Sequence, residues 1–225
     1  MGQGFFVTGT DTGVGKTLVS CALLRAFTVS GRSTVGMKPV AAGSEGGRWP
    51  DVDALVSASS VRAPAKLVNP YAFEPALAPH IAAELVGARI EIDVIARAYR
   101  ELARYAEVAI VEGVGGFLVP LNTHDTTADL ARRLRLPVVL VVGMRLGCLN
   151  HALLTRAQID ACGLRCAGWV ANGIASDMPQ LDANIHALED RLDCPLLGSV
   201  PFQRRPEPEG VSHLLRLENL IEATA

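Results

Sequence analysis

The stretch Gly9-Thr10-Asp11-Thr12-Gly13-Val14-Gly15-Lys16-Thr17 constrains the fold of this chain more than any other. An apolar run, Phe5-Phe6-Val7, precedes it, and an apolar helical pattern of Leu18, Val19, Ala22, Leu23 and Ala26 follows. Strand, glycine-rich loop and helix in that order make a phosphate-binding loop. The glycines let backbone N–H groups turn inward around phosphate oxygens. The helix starting near Lys16 adds unpaired N–H groups and the positive end of its dipole. Lys16 is expected to reach the outer phosphates of a nucleoside triphosphate, and the Thr17 hydroxyl to join a magnesium shell. One position departs from the usual Gly-x-x-x-x-Gly-Lys-Thr spacing: Thr10 stands where glycine is expected, with Gly9 one place early.

A length of 225 residues fits one α/β domain, 1–225, better than two. The 49% apolar content can fill a core. A formal net charge of −2 gives no sign of a nucleic-acid surface. Of the five cysteines, Cys21, Cys148, Cys162, Cys166 and Cys194, only Cys162 and Cys166 lie close in sequence, and no histidine or cysteine cluster accompanies them. They read as free thiols in a reducing cytosol. The N-terminus shows no signal-like segment, and the longest apolar run, Pro137 to Met144, is too short to span a bilayer. The expectation is a soluble cytoplasmic protein with neither nucleic acid nor membrane as a partner.

Short apolar runs at Thr34–Lys38, Val108–Val111, Val138–Val142, Ala167–Ala171 and Pro195–Val200 read as further strands. Helical patterns lie between them, at Asp51–Ser59, His80–Leu85, Asp93–Tyr105, Asp129–Leu136, Asn150–Ala161 and Leu181–Leu192, with a last helix over Ser212–Ala223. The proline-rich stretch Ala63–Pro79 has no clear period and reads as an ordered loop over one face. Alternating strands and helices predict a three-layer, mostly parallel central sheet flanked by helices. Ligands in such sheets bind beyond the C-terminal strand ends.

The polar residues at those ends are therefore the candidates for chemistry. Glu112 ends an apolar strand and either holds magnesium or caps a neighbouring helix. Of Asp51 and Asp53, the first suits a helix cap and the second a metal ligand. Lys38 is a second cation for a transferring phosphoryl group, or a solvated lysine. Asn172 either presents its amide to a nucleotide base or forms a turn before Gly173. Arg132, Arg133 and Arg135 alternate with leucines and read as a solvated helix face. These features leave three classes open: a switch or partitioning ATPase, a small-molecule kinase and an ATP-driven ligase. Asp11, in place of a signature lysine early in the loop, counts against the first.

Beyond the phosphate loop, the chain contains Lys38-Pro39-Val40, Asn69-Pro70-Tyr71, Pro79-His80, Val111-Glu112-Gly113 with Gly115-Gly116, Leu146-Gly147-Cys148-Leu149-Asn150-His151-Ala152 and Gly168-Trp169-Val170-Ala171-Asn172. Together these closely resemble the dethiobiotin synthetase family over nearly the whole chain. The resemblance implies the phosphate-loop nucleoside triphosphate hydrolase fold. It also implies ring closure of 7,8-diaminopelargonic acid with CO2 and ATP, dependent on magnesium, through a carbamate and a carbamic–phosphoric anhydride. It implies catalytic roles for Lys16 and Lys38, and a metal shell of Thr17, Asp53 and Glu112. Thr12, Gly13, Val14 and Gly15 would cradle phosphates, while Asn172, Pro201, Phe202 and Gln203 would meet adenine. Lys38, Gly115 and Gly116 would face the diamine. Cys148, Leu149 and Asn150 would bind its carboxylate tail across a homodimer interface. Two positions depart from the family pattern. Ala42 lacks a serine hydroxyl that family members place against the substrate, and Asn184 stands near where a tyrosine is expected.

Overall fold

Alternation along the first strand sets the layers. In the computed structural model, which describes residues 2–222, β1 (Gln3–Gly9) sends Phe5 and Val7 into one apolar cluster and Phe6 into the other. The chain continues through α1 (Lys16–Val29), β2 (Thr34–Met37), β3 (Val40–Ala42), α2 (Pro50–Ala58), α3 (Ala65–Val68), β4 (Tyr71–Phe73), α4 (Pro79–Leu85) and α5 (Ile92–Leu102). It then forms β5 (Val108–Glu112), α6 (Thr127–Leu134), β6 (Val138–Met144), α7 (Cys148–Ala161), β7 (Cys166–Gly173), α8 (Leu181–Leu192), β8 (Leu196–Val200), α9 (Pro208–Ser212) and α10 (Leu217–Glu222).

Six strands make one parallel sheet in the order β2-β5-β1-β6-β7-β8. From β1 the chain runs outward to β2, returns through β5, then crosses β1 to reach β6. This reversal opens a crevice beyond the end of β1, where the phosphate loop lies. Every residue of β5 and β6 is buried, as suits strands covered on both faces. On one face Leu23, Leu24 and Phe27 of α1 pack with Leu55 of α2 and Val211 of α9. The Phe5 and Phe27 rings stack there, 5.8 Å apart. Leu67, Ile95, Leu102, Leu130, Ile159 and Leu188 cover the opposite face, around Trp169. A fully buried side chain of this size contributes about 2 kcal/mol through apolar burial. The predicted three-layer α/β architecture is the one observed.

The stretch expected to be a plain loop holds more structure. Within it, α3 leads to β4, which pairs in parallel with β3 as a separate two-stranded ribbon. Asn69 makes the join: its Nδ2 donates to the Lys38 carbonyl at 2.6 Å and to the Tyr71 carbonyl at 2.9 Å. The last expected helix is two short ones, α9 and α10, and its final residue, Ala223, lies outside the described residues. Among the described residues no helix is long and apolar enough to cross a membrane.

Candidate nucleotide-binding site

The loop between β1 and α1 owes its shape to its glycines. Gly13 and Gly15 have φ of 76° and 91°, in the left-handed region where a side chain is strained. Gly15 is also the N-cap of α1 and supplies no side-chain partner, so the first N–H groups of the helix are uncapped. A Cβ at Gly15 would collide with the Asn172 amide, and one at Gly9 would lie 2.6 Å from Val14 Cγ2. Thr10 is tolerated because φ is not positive there. Its N–H donates to the Val141 carbonyl at 3.0 Å, and its hydroxyl accepts from the Gly143 N–H at 3.4 Å. The usual glycine position thus behaves here as an extension of β1 along β6.

Lys16 is buried, and its Nζ donates to the Asp11 carbonyl at 2.9 Å. Burial, and then the charge of Lys38, push its pKa down to about 8. Glu112, the last residue of β5, is fully buried. Its Oε1 accepts from the Thr17 hydroxyl at 2.8 Å and from Lys38 Nζ at 2.5 Å. Its Oε2 is buried without a hydrogen-bond partner. Lys38 Nζ also reaches Asp51 Oδ2 at 2.8 Å. Burial disfavours the Lys38 charge, but Glu112 and Asp51 outweigh it and raise the pKa. Burial likewise works against the Asp51 carboxylate, and Lys38, then Thr17, hold it below the ordinary range.

This geometry corrects the choice between the two aspartates. Asp51, not Asp53, joins the site. Trp49 occupies the N-cap of α2 and Pro50 its first position, so Asp51 lies two residues past the cap. Two residues along a helix turn a side chain by about 200°. Asp53 therefore points away and pairs with Arg48 Nε at 2.9 Å on the exposed side. Thr17, Asp51 and Glu112 supply hard oxygen donors, one of them a buried oxygen without a partner. They fit a magnesium ion whose remaining ligands are phosphates and water. No cluster of three or more His, Cys, Asp or Glu that could hold a metal occurs among the described residues.

Lys16, Lys38, Asp51 and Glu112 line a cavity of about 850 Å³, together with Thr12, Ala42 and Gly115. A second cavity, of about 250 Å³, is walled by Asn172, Pro201, Phe202 and Gln203. Gly13 and Gly15 border both. Asn172 is not a turn residue: it sits within β7, paired with Gly143 and Val200. Its Nδ2 donates to the Val14 carbonyl at 2.8 Å, which ties the wall of the small cavity to the phosphate loop. Val14 itself turns its side chain into the core.

Other expected residues are not gathered into the large cavity. Gly115 lines it with φ of 60°, whereas Gly116 lies behind, against the Gly9 and Thr10 carbonyls. The Cys148 thiol is buried in the core, because the first turn of α7 packs its apolar side inward. Leu149 and Asn150 line neither cavity. They start α7 at the same sheet edge, and Arg145 just before them pairs with Asp11 of the loop at 2.7 Å. Asn184 bonds the Gln180 carbonyl at 2.9 Å within α8 and borders neither cavity. A cavity of about 930 Å³ beside Pro137 and Arg165 lies at the N-terminal edge of the sheet, away from the loop. Two of its arginines, Arg132 and Arg133, pair with Asp129 and Asp93. Reading of the sequence ranks Asp51 below Asp53 as a metal ligand, and misses the support that Asn69 gives Lys38. Helix phase carries the first signal and the Asn-Pro-Tyr run the second.

Comparison with known proteins shows the fold and the family. A family profile described as an AAA domain matches residues 3–209. Among solved structures, the cell division ATPase MinD of Pyrococcus furiosus superposes with a TM-score of 0.63 at 19% identity, covering 100% of both chains. The MinD protein of Pyrococcus horikoshii, complexed with Mg-ADP, gives 0.57 at 15% identity over 99% of this chain and 90% of its own. At these identities the likeness speaks for the fold alone. In sequence, the ATP-dependent dethiobiotin synthetase BioD of Nitrosospira multiformis is 53% identical over 220 residues, 98% of this chain and 97% of its own. That of Aromatoleum aromaticum is 52% identical over 96% of this chain and 97% of its own. That of Janthinobacterium sp. is 50% identical over 93% and 92%. This chain belongs to the ATP-dependent dethiobiotin synthetase (BioD) family.

Proposed function

We propose that the chain, as one catalytic domain over residues 1–225, closes the ureido ring of dethiobiotin from 7,8-diaminopelargonic acid, CO2 and ATP. The observation that carries this reading is the meeting of two buried lysines and two carboxylates in one cavity. One substrate amine adds to CO2 and loses a proton, giving a carbamate. A carbamate is anionic and a poor electrophile, so its oxygen first takes the γ-phosphoryl group and ADP departs. The second amine then attacks the activated carbonyl and phosphate leaves. Holding both reacting centres in one bound molecule favours this closure.

Lys16 and Lys38 neutralise the charge that collects on the phosphoryl oxygens and the carbamate. The N–H groups of Thr12, Gly13, Val14 and Gly15 cradle the phosphates. Thr17, Asp51 and Glu112 would hold magnesium, which supplies further neutralisation of phosphate charge. Asn172, Pro201, Phe202 and Gln203 receive adenine. Gly115 leaves room for the diamine, and Ala42 contributes no hydroxyl to it. Cys148, Leu149 and Asn150 receive the substrate carboxylate of a second copy through the start of α7, so the active unit is a homodimer. Leu146 and Leu154 support that surface: they are 99% and 63% exposed beside those residues. Use of ATP supports a cytoplasmic location.

The test is phosphate release from magnesium ATP and bicarbonate, with and without the diamine, with mass analysis of the product. One ureido product per ATP, dependent on the diamine, is expected. Release that ignores the diamine would replace this reading with a switch or partitioning ATPase.

A further inference from the structure

Cys166 and Cys194 play no part in the proposed reaction, yet their sulfurs lie 3.3 Å apart. Cys166 is the buried first residue of β7, and Cys194 is a half-buried residue of the turn between α8 and β8. The strands run side by side from this point: the Trp169 N–H donates to the Pro195 carbonyl at 3.0 Å. A disulfide needs the sulfurs at about 2.05 Å, so the two thiols have about 1.2 Å to close.

From this geometry we infer that Cys166 and Cys194 form a peroxide-reactive dithiol, a site of covalent modification distinct from the nucleotide site. The surroundings favour Cys194 as the first nucleophile. The contact with the Cys166 sulfur lowers its pKa, against the opposing effect of burial, and the Arg156 guanidinium adds to the lowering. Asp160 holds that guanidinium through Nε at 2.9 and 3.0 Å. The same contact, with burial, raises Cys166 well above the usual thiol range, which keeps it as the resolving partner. The Cys194 thiolate attacks one peroxide oxygen, the O–O bond breaks, and hydroxide leaves to take a proton and become water. Cys166 sulfur then attacks the Cys194 sulfenic sulfur. The S–O bond breaks, and the Cys166 proton leaves with the departing hydroxide as a second water. Two thiols and one hydrogen peroxide thus give one disulfide and two waters.

The staple would join β7 to β8 at the end opposite Asn172 and Pro201, closing a loop that contains α8. Closing such a loop limits the unfolded chain. The test treats the full-length protein with hydrogen peroxide, followed by trypsin without reductant. Trypsin cuts after Arg191, between the two cysteines, so only a disulfide keeps the peptides together. A linked pair lacking two hydrogens is expected, with a melting midpoint raised by about 5 °C. Neither change is expected in Cys194→Ser or in Cys166→Ala, and both variants should keep wild-type turnover. Oxygen added to Cys194 without a link, a link that uses Cys162 instead, or all five thiols surviving peroxide that oxidises free cysteine would overturn the inference.

Discussion

Lys16 sits buried beside a second ammonium, and at a pKa of about 8 it has lost its proton in much of the free protein at pH 8.5. Triphosphate restores the charge. Magnesium ATP binding should therefore take up a proton between pH 8 and the usual lysine pKa near 10.5, and take up none at pH 6.5. Titration calorimetry at pH 9 in two buffers of different ionisation enthalpy reads this directly; equal heats in both would remove the argument. Folding shows the same linkage. The unfolded chain holds this proton between pH 8 and 10.5 and the folded one does not, so the term from Lys16 favours folding more as pH rises through that window. Glu112 tests the opposite charge. Glu112→Gln leaves Lys38 buried with Asp51 as its remaining carboxylate partner. It should lower unfolding stability by about 3 kcal/mol in urea melts and raise the magnesium needed for half-maximal turnover. An unchanged metal titration would return Glu112 to a purely structural role.

At the scale of elements, the ribbon of β3 and β4 hangs from the backbone of the residue that carries the second ammonium. Asn69→Ala removes both hydrogen bonds that make the join. It should reduce stability by about 2 kcal/mol and lower kcat, because the Lys38 carbonyl loses its side-chain partner. In contrast, α6 starts with a capping box in which Asp129 Oδ2 accepts from the Thr126 N–H at 2.9 Å. Thr126→Ala should destabilise by about 1 kcal/mol in the same melts and leave turnover alone. What was legible divides along the same line. The six long strands announce themselves as apolar runs, and Leu181–Leu192 is a helix in pattern and in fact. Three-residue strands such as Tyr71–Phe73 have no period to read. The misplaced aspartate has a related cause. Composition places both Asp51 and Asp53 at the start of α2, but only the position of Trp49 as cap fixes which one turns towards Lys38.

For the whole molecule, the order of strands matters more than any one of them. Reversal about β1 brings the ends of β1, β2, β5 and β7 to one edge, so residues far apart in sequence, Lys16, Lys38, Glu112 and Asn172, meet there. The strand pattern predicts that edge; the side-chain pairing within it depends on rotamers that no pattern encodes. Assembly is a property at this scale too. On the proposed homodimer reading, Leu154→Glu, on the exposed side of α7, should shift the proposed dimer to monomer in sedimentation and raise the KM for the diamine. A dimer that persists with unchanged KM would place the interface elsewhere. The two cavities share Gly13 and Gly15 as a common border. For inhibitor design this shared border suggests a bisubstrate ligand. A single molecule with a purine at one end and a diamino chain at the other would span both compartments across those glycines, past the Asn172 amide that stands against Gly15.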